Sequence, residues 1–246
     1  IPGSLVGSEM CIRDSGNIVK LSIPIFFANL VIPLVAIVDT GLMGNLDNAS
    51  YLTATSIATS IFSLIFWSFG FLRMGTTGMV AQAYGSKNYD EIVNLIFRNI
   101  VFVILMSLVL IFCQAYIFII ALNIFELSAD TTKYFKEYFE IRIYSSFGEL
   151  MIYIITGLFI GLQRTTVSSV IVGFFSITNI LLSLLFVVYY DLDVQGVELG
   201  TLVSSTLTAI IFLCYTFLEL QKFTSIKINV SNIFNVKKII KLFNIN

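Results

Sequence analysis

The sequence contains no histidine, and only 12% of its 246 residues are charged. The missing histidine removes the commonest general base, and with it Ser-His triads, His-zinc sites and His-dependent intramembrane proteolysis. No enzymatic role is expected. Cysteine is scarce: three residues, with neither metal-ligand nor disulfide-framework spacing. Cys113 and Cys214 lie in apolar stretches, where a free thiol behaves as a small hydrophobe. No resident metal or organic cofactor is expected, nor a nucleic-acid partner. Period-two alternation is absent, which argues against a membrane β-barrel. Residues 1–15 lack the basic and then apolar regions of a signal peptide. Their string SLVGSEMCIRDS reads as a non-native, adapter-derived segment, the alternative being a genuine polar tail.

What is abundant explains the shortage of charge. Hydrophobic residues make up 57% of the chain, with 23 phenylalanines, against about 45–50% apolar and about 25% charged in soluble domains. Six apolar segments stand out, at residues 21–43, 52–80, 93–122, 139–162, 167–190 and 197–218. Each reaches the ~20 residues that a helix needs to cross ~30 Å of hydrocarbon. The expected fold is an all-α integral membrane bundle of six transmembrane helices over residues 16–220, with residues 221–246 as a cytoplasmic link. The lipid bilayer is its first partner. Asp130, after the third segment, is expected to cap the helix that follows.

Basic residues set the orientation. Lys20 precedes the first segment, Lys87 and Arg98 flank the second connection, Arg164 lies in the fourth, and five lysines follow the last segment. The first and fifth connections contain none. The positive-inside rule places both termini in the cytoplasm, and an even number of spans agrees.

Ionisable residues inside spans cost about 2.5–3.5 kcal/mol each at a helix centre, so four attract notice: Asp39, Arg73, Arg142 and Glu149. Asp39, in the outer half of the first span, is either an acid that takes up and releases a coupling proton or a helix-end residue paired with water. Arg73 is expected to be structural. Arg142 is placed near the outer end of the fourth span, where snorkelling accommodates it. Glu149 follows two turns later on the same face, as a second proton site or as a neutral acid bonded to a neighbour. Pro24 and Pro33 each remove a backbone hydrogen bond from the first span and can kink it, although proline is also simply tolerated in membranes. Gly157-x-x-x-Gly161 and Gly196-x-x-x-Gly200 are expected to let helices pack closely.

Several of these strings occur together in one family. Ile23-Pro24, Asn29, Pro33-Leu34 and Val38-Asp39-Thr40 lead into Met43-Gly44. The run from Phe66 to Gly78 is followed by Ala81-Gln82-Ala83-Tyr84-Gly85. Further along come Ile141-Arg142-Ile143, Gly157 to Gln163, Asn179-Ile180 and Val194-Gln195-Gly196-Val197 with Gly200-Thr201. In this order the chain resembles the MATE (multidrug and toxic compound extrusion) exporters, particularly their DNA-damage-inducible branch.

The resemblance implies the first six-helix lobe of a twelve-helix transporter, the C-terminal lobe being the absent partner. It also implies efflux of small cationic amphipathic substrates in exchange for H+ or Na+ across a bacterial inner membrane. It carries over a cation site at Asp39, Asn179 and Thr201. The family's second acid, one turn beyond that Asn, is Ser183 here, which leaves Asp39 as the principal acid and a set of oxygens able to ligate Na+. Glu149 is the candidate substitute for the lost acid. The competing expectations are a lipid-linked oligosaccharide flippase of related architecture and a non-transporting membrane fragment.

Overall fold

A computed structural model describes residues 33–44, 49–125 and 127–222, together with Ser22, Ile23, Phe26 and Leu30. Pro24, Asn29, the 1–15 segment and most of the 221–246 link lie outside the described residues. Among those described, every regular element is helical. The helices are α1 (Pro33–Gly44), α2 (Ala49–Ser68), α3 (Gly70–Gly85), α4 (Tyr89–Phe125), α5 (Ala129–Arg142), α6 (Ser146–Gly161), α7 (Thr165–Leu184) and α8 (Asp193–Leu220). A 3-10 turn at Ile143–Ser145 joins α5 to α6, and a π-helical turn at Leu185–Tyr189 ends α7.

Joined end to end, these helices form five rods long and apolar enough to cross a membrane: Ser50–Gly85, Tyr89–Phe125, Ala129–Gly161, Thr165–Tyr189 and Gln195–Leu220. They coincide with the second to sixth apolar segments, and α1 covers the end of the first. The third rod, Ala129–Gly161, is the centre of the bundle. Its apolar window is 72% buried, against 17% for Tyr89–Phe125. α6 packs on α3, α4, α7 and α8, α5 packs on α2 and α8, and α7 pairs with α8.

Small residues make this packing possible. A Cβ added at Gly157 would lie 2.7 Å from the Arg73 carbonyl oxygen, and one at Gly161 would lie 2.7 Å from that of Thr77. Gly196 and Gly200 bring α8 equally close to Val187 and Ser183. Both glycine pairs therefore act as expected, as close helix contacts. Large apolar side chains point outward instead, among them Trp67 at 81% exposure and Phe112 at 78%. A surface so apolar on helices of this length belongs in lipid or against another apolar body.

Two local expectations are corrected. The cap of α5 is Ser128, whose hydroxyl accepts from the Thr131 N–H at 3.3 Å. Asp130 instead stands in the first turn, where its charge suits the helix dipole. The rod of the fourth apolar segment also starts at Ala129, ten residues before that stretch begins, because Lys133, Lys136, Glu137 and Glu140 are helical too. That extension moves Arg142 from the rim to the interior. Arg98, which flanks the second connection, is packed within the bundle: only 2% exposed, it lies within α4 and 3.6 Å from Glu91.

Candidate cation site

Three helices supply an oxygen cluster. Asn179 on α7 and Thr201 on α8 face each other, both buried, with Asn179 Nδ2 donating to Thr201 Oγ1 at 2.9 Å and lying 3.4 Å from Ser204 Oγ. Ser183 follows one turn after Asn179, fully buried where Gly200 lets α7 and α8 touch. Asp39 on α1 lies beside Ser183 and feels the charge of Arg142. Asp39 Oδ1, Asn179 Oδ1 and Ser183 Oγ are all buried; Asn179 Oδ1 has no donor, and the Ser183 hydroxyl is the neighbour placed to donate to Asp39. Unpaired buried acceptors of this kind are costly. A carboxylate and an unpaired amide oxygen in one neighbourhood form an environment that favours a positive charge.

Asp39, Asn179 and Thr201 line one side of a cavity of about 420 Å³. Its apolar walls include Val35, Met43, Phe175 and Val197, and exposed Ala36, Thr40 and Ser56 form its mouth. The opposite side is ionic. Arg142 Nη1 lies 2.5 Å from Glu149 Oε1, and Arg142 Nε lies 3.5 Å from Glu198 Oε2. The guanidinium also stands over the rings of Phe62 and Phe66, at 5.8 and 5.3 Å from their centroids. Ser145 Oγ accepts from Arg142 Nη1 at 3.0 Å. Above this group the Tyr138 hydroxyl pairs with Thr59 Oγ1 at 2.8 Å and faces Glu198.

Such a constellation invites comparison with known proteins. The MatE family model matches residues 24–185, the larger part of the chain. The chain belongs to the MatE family. Over 193 residues it is 31% identical to DNA damage-inducible protein F of Escherichia coli, an alignment covering 78% of this chain and 42% of that protein. Its fold is that of a MOP superfamily transporter from Pyrococcus furiosus, with a TM-score of 0.82 at 18% identity, over 92% of this chain and 50% of the other. A multidrug resistance MATE family transporter in its outward-facing conformation gives a TM-score of 0.79 at 18% identity, over 87% and 47%. The chain thus spans about half the length of the relatives it matches. Family and apolar rods together make it a multi-pass membrane protein.

Within this MatE chain the structure brings together Asp39, Asn179, Ser183 and Thr201. One expectation about the charged residues needs revision. Arg142 does not snorkel; it is 15% exposed and held between two carboxylates. Glu149 lines the same cavity as Asp39, and there it is the close ion-pair partner of Arg142. Arg73 is exposed and lies outside this cavity, while its carbonyl lies beneath Gly157. Pro33 opens the described run of α1, six residues before Asp39.

Sequence reasoning missed Glu198 altogether. It stands near the start of the sixth segment, five residues after Asp193, where an acid reads as belonging to the membrane surface. It is nevertheless 2% exposed. The available signal was spacing: Glu198, Thr201 and Ser205, at i, i+3 and i+7, share one helix face.

Proposed function

We propose that this lobe carries the coupling-cation site of a secondary active exporter, which expels cationic amphipathic compounds in exchange for H+ or Na+. In this reading the protein lies in a bacterial inner membrane with both termini cytoplasmic, and a second lobe closes the substrate path. The observation that carries it is the meeting of Asp39, Asn179, Ser183 and Thr201 between α1 and two membrane-spanning rods, with the buried Asn179 Oδ1 left without a donor.

The mechanism follows from competition. A proton neutralises Asp39; a sodium ion is ligated by the oxygens of Asp39, Asn179, Ser183 and Thr201. Either cation relieves the excess negative charge, and so does a bound organic cation against the apolar wall. Exchange results when each ligand favours a different conformation of the lobe. α1 is the natural moving part, since it carries Asp39, six residues after Pro33, which lacks the N–H of a regular helix backbone. The second reading, a lipid-linked oligosaccharide flippase, is disfavoured by the cavity's charge: three carboxylates against one guanidinium repel phosphate.

The test is Asp39→Asn in the full-length transporter. Cation-driven ethidium efflux from cells should fall to the level of cells lacking the protein. Unimpaired efflux that still follows the cation gradient would remove Asp39 from the mechanism.

A further inference from the structure

The cavity holds more acid than its one guanidinium can balance. Asp39, Glu149 and Glu198 contribute three formal negative charges, and Arg142 one positive charge. An excess of two negative charges inside a membrane bundle is expensive. The oxygen cluster around Asp39 accounts for one cation. The other must be carried by Glu149 or Glu198.

Geometry separates these two. Glu149 Oε1 lies 2.5 Å from Arg142 Nη1 and 3.3 Å from the Ser145 hydroxyl, which donates to it. It is committed to the guanidinium. Glu198 Oε2 faces Arg142 Nε at 3.5 Å, and neither atom closes a hydrogen bond. The groups facing Glu198 are Arg142 and Tyr138 from α5, Glu149 from α6 and Asp39 from α1. Two of the four are acids and one is a neutral hydroxyl. The nearby guanidinium would repel a metal ion, which would also need a shell of several oxygens around it. A proton needs no shell.

Resting on the antiport reading, we propose that Glu198 is a second proton-carrying acid of this lobe, separate from the Asp39 cluster, and that Arg142 senses its state. Glu198 lines the cavity, so its carboxylate takes a proton from a hydronium in cavity water and releases it to water from the other state of the lobe. No other bond changes. While Glu198 is charged, Arg142 is shared between Glu149 and Glu198 and ties α5, α6 and α8 together. When Glu198 is protonated, Arg142 belongs to Glu149 alone and α8 is freed from it. Protonation thus changes a packing contact as well as a charge.

Infrared pH-difference spectra of the purified full-length transporter in lipid test this directly. Wild type should show a carboxylic C=O band that appears on acidification, disappears in Glu198→Gln, and returns displaced in Glu198→Asp. Asp39→Asn should leave that band in place. Spectra of Glu198→Gln identical to wild type, or of Glu198→Asp with the band undisplaced, would overturn the proposal. Failure of the antiport reading itself is seen elsewhere, as ethidium efflux indifferent to Asp39→Asn.

Discussion

Arg142 is held by two carboxylates, a hydroxyl and two aromatic rings, so its removal leaves Glu149 and Glu198 facing each other with no counter-charge. Breaking one side of a buried ion pair costs about 3–5 kcal/mol. Arg142→Gln should therefore lower the thermal midpoint of the detergent-purified protein markedly. Adding Glu149→Gln should restore part of the loss, because one orphaned charge goes with it. Equal midpoints for the single and double variants would mean that the guanidinium acts through its packing on Phe62 and Phe66 alone. The Asp39, Asn179, Ser183 and Thr201 cluster was legible in the sequence through its resemblance to a family. Glu198 was not, because its partner Arg142 is 56 positions away and only the packing of α8 on α5 brings them together. The misplacement of Arg142 has a related origin: hydropathy marks where a segment turns apolar, whereas the helix starts at its cap, Ser128.

At the scale of elements, the central rod depends on close approach. A branched side chain at Gly161 would press on the Thr77 carbonyl and on Val80, with added-Cβ distances of 2.7 Å to each. Overpacking of this kind costs about 1–3 kcal/mol, and backbone leaves less room to relax than a side chain would. Gly161→Val should reduce the yield of folded protein and lower its thermal midpoint. Gly173→Ala is the control: nothing lies within 4 Å of an added Cβ there, and alanine is better by about 0.8–1.0 kcal/mol in a helix, so its midpoint should not fall. The glycine spacing could be read from the sequence, but the break between α2 and α3 could not. Phe69 leaves the helix there, with its N–H bonded to Phe66 O at 3.0 Å, in a run with no proline. The residue types at Ser68-Phe69-Gly70 permit a bend without demanding one.

At the scale of the molecule, the apolar segments translated into rods nearly one for one, because hydrocarbon thickness fixes a helix length that composition reveals. The cavity between them did not follow from composition, since it depends on how α1, α2, α5 and α8 face one another. The chain matches 42% of the length of its E. coli relative. Our account takes transport to need both lobes, so these 246 residues alone, in liposomes with an imposed proton or sodium gradient, should not accumulate ethidium above protein-free vesicles. Gradient-driven accumulation would show that one lobe suffices.

The central claim is that a coupling cation and the exported compound compete through Asp39. Ethidium affinity of the purified full-length transporter, measured by fluorescence anisotropy across pH and across sodium concentration, tests it most directly. The account predicts that wild-type affinity weakens as the coupling cation rises, by lower pH or by added sodium, and that Asp39→Asn reduces that dependence several-fold, leaving in the proton arm only the share carried by Glu198. An Asp39→Asn protein whose ethidium affinity follows the cation as steeply as wild type would contradict it.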